Sequence, residues 1–246
     1  PTSLARGLDR IDAILTAVEH GARTTTSIAG RTGLHRTTTH RLVKDLVGRG
    51  YLAHTPSGYV LGPRILRLAT TAMRELPLRS LAEPVLQRLS ESTGESTQLY
   101  VLSGDRRICV AAVQSGSELR TIVEIGSSLP LTAGSSGKVF LAYLPPPVAA
   151  SLIAAARPLT ERTPTGEKLE EQVILSRKRG WAMSSGEREL GVGSVSAPIL
   201  DRLGALLGVI SVSAPVSRLT RGSAKRYVPA VTSAAKEIER MLGSAV

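Results

Sequence analysis

The second half of the chain contains a Ser-x-x-Lys spacing, Ser135 followed by Lys138, which some acyl-transfer enzymes use as a nucleophile and its base. Those enzymes also need a Ser-Asp-Asn segment and a Lys-Thr-Gly segment, but this chain has no asparagine and no Lys-Thr-Gly. Gly137 and Lys138 do not form a phosphate-binding P-loop either, because the earlier glycine is misplaced and Val139 follows the lysine. We therefore expect Ser135 to Lys138 to form a loop at a helix start that either binds a ligand or packs against the rest of the domain.

No other constellation in the second half indicates catalysis. All four histidines lie within the first 54 residues: His20, His35, His40 and His54. The second half therefore lacks a histidine base, a Ser-His-Asp triad and a histidine-ligated metal site. We expect no enzyme activity, no cofactor and no metal.

Three single residues could each serve structure or ligand binding. Glu187 is equally suited to a structural hydrogen bond and to a ligand contact. The only cysteine, Cys109, lies in an apolar run, which favours a small buried hydrophobe over a reactive thiol. Trp181, the only tryptophan, is predicted to lie in the core rather than to serve as a platform for a ligand.

A different chemistry, contact with nucleic acid, is concentrated in the first third of the chain. Residues 1–76 carry 11 Lys and Arg against five Asp and Glu, a net charge of +6 within the +11 of the whole chain. Lys and Arg contacts to phosphates give sequence-independent, salt-sensitive affinity for DNA. The side chains that we expect at the DNA are Thr24, Thr25, His35, Arg36, Thr37, Thr38, His40, Arg41, Lys44, Ser57 and Tyr59.

The elements around these residues predict a winged helix-turn-helix. Leu8, Ile11, Leu15 and Val18 have the spacing of a helix face, and a threonine at 24–26 can cap a second helix that ends at Gly33. A third, basic helix follows over 34–47, with an apolar stripe supplied by Leu42, Val43, Leu46 and Val47. Two strands, 51–54 and 59–61, form a hairpin behind it. A solvated helix of some other domain would not explain this order.

The chemistry of the basic helix limits how it can recognise bases. Arg36 or Arg41 can pair with guanine, and threonine methyl groups suit thymine, but neither Asn nor Gln is present here for an adenine contact. We predict that recognition depends on guanine, on thymine methyl groups and on DNA shape. An operator read mainly by amide-to-adenine contacts would contradict this prediction.

Downstream, helices and strands mix without strict alternation, which predicts an α+β domain with an antiparallel sheet flanked by helices. A helix starts at Pro63 with Ile65, Leu66, Leu68 and Ala69 on its apolar side, and Pro77 marks the boundary. Further helices are predicted over 81–92 (with Pro84 in the first turn), 137–144, 145–156, 167–179 and near the C-terminus, where Val228, Val231, Ala235, Ile238 and Met241 share a face. Strands are predicted over 97–102, 108–113, 121–125, 194–200 and 207–213.

Several segments, in order along nearly the whole chain, resemble the IclR family of bacterial regulators. They are Gly33–Leu42, Gly50-Tyr51, Tyr59–Arg64, Thr93-Gly94-Glu95, Leu129–Lys138 and Gly180–Asp201. The last departs from the family at Leu200, where an aromatic or His is usual, and at Ser194, where many members have Cys. Segments around Gln98, Ile108 and Gly186 resemble an actinobacterial branch associated with amino-acid biosynthesis, leucine in particular.

The resemblance implies a winged helix-turn-helix over 1–62, a linker helix over 63–77 and a GAF-like effector-binding domain over 78–246. It implies homodimers, some paired into tetramers, on palindromic double-stranded DNA operators, and a repressor more often than an activator. Small organic acids, aromatic compounds or amino-acid metabolites would be the effectors. The effector site would involve Leu119, Ser135, Ser136, Ser184, Glu187, Val192, Ser194, Ser211 and Ser213.

The residue types agree with such a site. Gly134 to Gly137 can present backbone amides to a carboxylate at a helix start, and Ser211 and Ser213 share one strand face. No buried cation is expected, so the acid would rely on amides and hydroxyls. The effector would shift the two DNA-binding units of a dimer through the helix near Ile65 to Leu76.

Two other classes compete with a regulator. An enzyme fused to a DNA-binding domain would need catalytic residues that the second half lacks, and an architectural DNA binder would not need about 170 further residues. No stretch reaches the roughly 18–20 apolar residues of a membrane span, and the first ten residues lack a signal-peptide core, so we expect a cytoplasmic protein without membrane contact.

Overall fold

The computed structural model describes residues 3–74, 76–220 and 222–244, and the chain divides into two compact units, Pro1–Glu75 and Leu76–Val246. The first unit has the elements of a winged helix-turn-helix followed by one more helix. Its elements are α1 (Ser3–Glu19), α2 (Thr25–Thr32), α3 (Arg36–Gly48), β1 (Leu52–Thr55), β2 (Gly58–Leu61) and α4 (Pro63–Arg74).

A small apolar core joins α1, α2, α3 and β1 in the first unit. Ile14, Ile28, Val43 and Leu52 are almost fully buried in it. The predicted stripe on α1 was wrong at its first position, because Leu8 is exposed. The core covers the second half of α1, so burial is confined to the turns after Leu8.

Helix α2 begins and ends as the sequence predicted. The Thr24 hydroxyl accepts a hydrogen bond from the Ser27 amide at 3.1 Å, and the Ser27 hydroxyl accepts one from the Thr24 amide at 3.0 Å. This reciprocal cap satisfies two amides that a helix start leaves free. The helix ends at Gly33, whose φ of 67° lies in the left-handed region that favours glycine.

The hairpin contacts the connection between α1 and α2. The Tyr59 amide donates to the Arg23 carbonyl at 2.8 Å, and an ideal Cβ at Gly58 would lie 2.2 Å from that oxygen. Gly58 also has a φ of +105°. Only glycine can therefore hold the hairpin against this connection.

The second unit is an antiparallel six-stranded sheet with helices on both faces, as the sequence predicted. Its elements are α5 (Pro77–Thr93), β3 (Ser96–Ser103), β4 (Arg106–Val113), β5 (Ser128–Pro130), α6 (Ser135–Tyr143), α7 (Pro146–Ala154), α8 (Gly166–Arg179), β6 (Ala182–Ser185), β7 (Val192–Leu200), β8 (Leu206–Pro215) and α9 (Ala224–Ser244). The strand order is β5-β4-β3-β8-β7-β6.

The two faces of this sheet differ in character. Ile210 and Val212 of β8 face α5 and α9 in an apolar core. On the other face, Val209 packs in a second core with residues of α6 and α8, and Ser211 and Ser213 continue that face. The two-residue alternation of a strand thus places a row of polar groups beneath α6.

Three predictions about this unit were wrong. Residues 121–125 alternate in burial but pair with no strand, because the ladder beside β4 is formed by β5 instead. Helix α5 begins earlier than predicted, with Pro77 in its first turn, so Pro84 lies in the helix interior. The short edge strands β5 and β6 were not predicted.

We predict that Thr24→Ala weakens α2, because the Ser27 amide loses its acceptor; losing such a cap costs about 1 kcal/mol. Hydrogen exchange of α2 amides, measured by mass spectrometry on the whole chain, should speed up several-fold. Thr25→Ala, one residue inside the helix, is the matched control and should leave exchange nearly unchanged. Equal exchange in both variants would contradict the capping role.

Candidate DNA-binding surface and effector site

Helix α3 presents most of the predicted DNA contacts to solvent. The exposed side chains are His35, Arg36, Thr37, His40, Arg41 and Lys44, and Thr38 is half-buried. Thr39 is fully buried, and its hydroxyl donates to the His35 carbonyl at 3.2 Å. The threonine run is therefore divided between a solvent face and the core.

The remaining predicted contacts lie at the start of α2 and on the hairpin. Ser57 is exposed at the hairpin turn, and Tyr59 stacks edge-on against His54 with ring centroids 5.0 Å apart. Thr25 is half-buried. The Thr24 hydroxyl is already bound to Ser27, so its first role is to cap the helix.

In the second unit, a small cavity of about 20 Å³ collects six of the nine predicted effector residues. Its lining comprises Tyr100, Arg107, Gly134, Ser136, Ser184, Arg188, Val192, Ser194, Ser211 and Ser213. Ser135 and Glu187 bond to lining residues. Leu119 is separate: it is 63% exposed and borders a depression of about 450 Å³ that shares Val192 with the cavity.

Hydroxyl groups form a continuous chain beside this cavity. The Ser135 Oγ lies 2.6 Å from the Oγ atoms of both Ser194 and Ser196. Ser196 continues to Ser211 at 2.8 Å, and Ser194 to Ser184 at 2.8 Å. Because hydroxyls both donate and accept, the chain can reorient toward a polar ligand. Sequence reasoning missed Ser196, although it shares the strand face of Ser194.

The expectation of no buried cation was wrong, since Arg107 and Lys138 are 2% and 1% exposed. Arg107 donates to the carbonyls of Pro130 and Ala133, and burial lowers its pKa to about 10. Strand alternation places Arg106 and Arg107 on opposite faces of β4, so one of the two had to point toward the core side of the strand. The sequence does not show which one, and only the packing distinguishes them.

Lys138 forms a buried ion pair with Glu187. Its Nζ donates to Glu187 Oε1 at 2.5 Å, to Gln172 Oε1 at 2.6 Å and to the Met183 carbonyl at 2.8 Å. Burial lowers the pKa of Lys138, and the Glu187 carboxylate acts in the opposite direction. Because all three of its donors are used and Ser135 bonds other serines, the Ser-x-x-Lys spacing is not a nucleophile and its base.

The same carboxylate occupies the start of α6. Glu187 Oε2 accepts a hydrogen bond from the Gly134 amide at 3.1 Å, at the N-cap of the helix. This amide was expected to face a ligand carboxylate, and a carboxylate of the protein binds it here. Glu187 is thus a structural acceptor, and its contact with an effector stays a prediction.

A larger cleft of about 610 Å³ borders α8 and β6. Trp181 lines it, half-buried, with the Arg179 guanidinium 5.3 Å from its ring centroid. The prediction of a core tryptophan was therefore wrong. Trp181 follows Gly180 at the end of α8, and its side chain borders the cleft instead of the core.

Cys109 is fully buried, as predicted. Burial raises the pKa of its thiol to about 12, so the thiolate is not formed near neutral pH. Tyr100, its register partner on β3, also has a pKa raised to about 12 by burial. Neither group titrates near neutral pH.

The first unit has an exposed basic helix in a winged helix-turn-helix, and the second has a small polar cavity beside its sheet. This combination defines a DNA-binding transcriptional regulator. Residues 3–56 match the IclR helix-turn-helix domain, and residues 70–240 match the bacterial transcriptional regulator IclR C-terminal domain. The chain belongs to the IclR family. Both domains are those of regulators and not of enzymes.

Individual relatives agree with this assignment. The glycerol operon regulatory protein of Streptomyces griseus is 32% identical, covering 97% of each chain. The transcriptional repressor IclR of Escherichia coli is 29% identical, covering 98% of this chain and 90% of the repressor. A solved IclR homolog from Microbacterium hydrocarbonoxydans, complexed with 4-hydroxybenzoate, has a TM-score of 0.80 and 26% identity, covering 96% of this chain and 99% of that one.

Within the described residues, no helix is long and apolar enough to cross a membrane.

We predict that Glu187→Gln destabilises the second unit by about 3–5 kcal/mol, because it leaves Lys138 buried without its counter-ion. Urea unfolding followed by Trp181 fluorescence reports on this unit. Glu237→Gln is the control, since its pair with Arg88 is 37–55% exposed and exposed pairs contribute less than about 1 kcal/mol. Similar losses of unfolding free energy in both variants would show that the contribution of Glu187 to stability does not depend on its burial.

Proposed function

We propose that this regulator represses a metabolic operon by binding a palindromic operator as a homo-oligomer, and that a small organic acid or amino-acid-related metabolite changes its DNA affinity. One observation carries the proposal: a chain with an exposed basic recognition helix also encloses a polar cavity in its second unit. Plain DNA binding has no use for such a cavity. The domains would be those predicted, 1–62, 63–77 and 78–246.

The names of the relatives support the sign of regulation and the ligand class. The Escherichia coli relative is a repressor, and the Microbacterium homolog was solved with an aromatic acid. The hydroxyl chain and the Arg107 guanidinium favour a ligand with strong hydrogen-bond acceptors. Acids of the leucine pathway join aromatic acids as candidates, because of the resemblance to the actinobacterial branch.

Self-association is supported by helix α4, which buries none of its residues within the chain. Leu66 and Leu68 are 71% and 48% exposed on a helix of otherwise amphipathic sequence. Leu66 and Ala69, three residues apart, are both exposed on the same side of α4, as on a surface that a partner covers. A second copy of the chain is the partner that a palindromic operator requires.

We predict that the whole chain binds DNA from upstream of its own gene in a sequence-selective, salt-sensitive manner, measured by fluorescence anisotropy. Arg36→Ala should weaken binding roughly tenfold or more and reduce the preference for guanine, whereas Lys44→Ala should weaken all sequences equally. Arg157→Ala removes an equal charge from the second unit and should change little. No preference over random DNA at any salt concentration would refute the proposed function.

The effector arm of this experiment adds candidate acids to the protein–operator complex. A coupling of about 1–3 kcal/mol should change operator affinity roughly 5- to 150-fold. Affinity that stays flat across leucine-pathway acids and aromatic carboxylates would contradict a ligand-responsive regulator while leaving DNA binding intact.

We predict that Leu66→Lys shifts the protein toward monomer, since it places a charge on the α4 surface that is covered on association. Sedimentation velocity at several concentrations measures the shift, which should raise the dissociation constant at least tenfold. Leu203→Lys is the matched control: Leu203 is 94% exposed in a turn and should not alter association. Unchanged association in Leu66→Lys would place the interface elsewhere.

A further inference from the structure

The amino end of α6 holds more positive charge than the protein neutralises. Helix starts carry partial positive charge from their free amides, so cations are disfavoured there and anions are favoured. The Arg107 guanidinium nevertheless packs against this helix start: an ideal Cβ at Gly134 would lie 3.2 Å from its Nη2, and one at Gly137 2.7 Å from its Nη1. Burial of a cation at such a place is costly, and hydrogen bonds to carbonyls offset that cost less fully than an anion does.

The nearby carboxylate, that of Glu187, is already bound to the Gly134 amide and to Lys138. Glu187 forms its ion pair with Lys138, and the charges of these two residues cancel. In the part of the chain that the structure describes, no carboxylate is paired with Arg107, whose two terminal nitrogens donate to carbonyls. Its Nε is buried and has no hydrogen-bond partner among the described residues.

A second guanidinium borders the same cavity. Arg188 lines it and lowers the pKa of Arg107 by repulsion, and its Nε is also buried without a partner. One terminal nitrogen of Arg188 lies 3.0 Å from Glu189, whose side chain is 63% exposed. Two arginines and five serine hydroxyls therefore surround one small space with several unused N–H donors.

We propose that Arg107 and Arg188 recognise the carboxylate group of the effector in this cavity, an inference that rests on the proposed function and names the residues that select for an acid. Guanidinium groups bind carboxylates through parallel, charge-assisted hydrogen bonds. The cavity of about 20 Å³ is too small for a whole metabolite, so only the acid group of the ligand would enter it. Val192 also borders the depression of about 450 Å³ beside Leu119 and Ile122, which suits the apolar remainder of the ligand.

The test compares acids with their uncharged amides on the whole chain, without DNA, by isothermal titration calorimetry. The pairs are acetate and acetamide, succinate and succinamide, benzoate and benzamide, and 2-oxoisocaproate and its amide. We expect at least one acid to bind at least tenfold more tightly than its amide. If no acid exceeds its amide, the proposal is overturned.

Variants then identify the residues. Arg107→Gln should weaken the binding of the acid at least tenfold. Arg106→Gln is the control, because it removes the same charge from the exposed face of the same strand, where Arg106 binds Ser128. Should Arg107→Gln fail to fold, Arg188→Gln tests the same cavity with a less buried side chain, and it should weaken the acid by a similar factor. Native affinity in a folded Arg107→Gln, or in Arg188→Gln, overturns the assignment.

Failure of this inference is distinguishable from failure of the proposed function. If operator binding persists while acids bind no better than amides, only the proposal of the arginine site is rejected. If acids bind through Arg107 but the protein shows no operator preference, the proposed function is rejected and the arginine site stands.

Discussion

The effector unit depends on the ion pair between Lys138 and Glu187, because two charges removed from water must be neutralised by each other and by hydrogen bonds. The pair satisfies this demand with partners from α8 and β6 and with the first amide of α6. Each partner comes from a different part of the chain. The geometry of the cavity wall is therefore fixed by the need to solvate one ammonium group and one carboxylate.

This constraint determines what the neighbouring serines can do. With Glu187 holding the amino end of α6, Ser135 lies against the hydroxyls of β7, and the chain of hydroxyls runs on to β8. The polar groups of the sheet are thereby satisfied among themselves and remain free to exchange partners.

Much of the first unit could be predicted because its signals are local. A threonine three residues before a serine, a glycine after the last helical turn and a hairpin turn each act within a few residues, so α2, α3 and β1–β2 follow from the sequence. The row formed by Ser211 and Ser213 followed from strand alternation. By contrast, burial of Lys138 depends on Glu187, 49 residues away, and no local pattern indicates that distance.

Two of the wrong predictions have the same cause, which is the identity of the neighbouring element. Residues 121–125 have the alternation of a strand but no strand beside them, and Trp181 has apolar character but lies at the edge of a cleft. Pro84 was placed in the first turn because an earlier helix start at Pro77 was not recognised. The assignment of Leu119 to the effector site came from the resemblance and stays a prediction; the structure places Leu119 beside the outer depression.

The burial of Cys109 makes the alkylation rate of its thiol a measure of how often the core of the second unit opens. Because the chain has one thiol and that thiol is enclosed in the core beneath α6, an alkylating reagent can reach it only when this core opens. The rate of labelling would then report the frequency of local opening in the folded protein, without any engineered probe. A ligand that makes this opening less frequent would lower the labelling rate of Cys109, even where the average structure hardly changes.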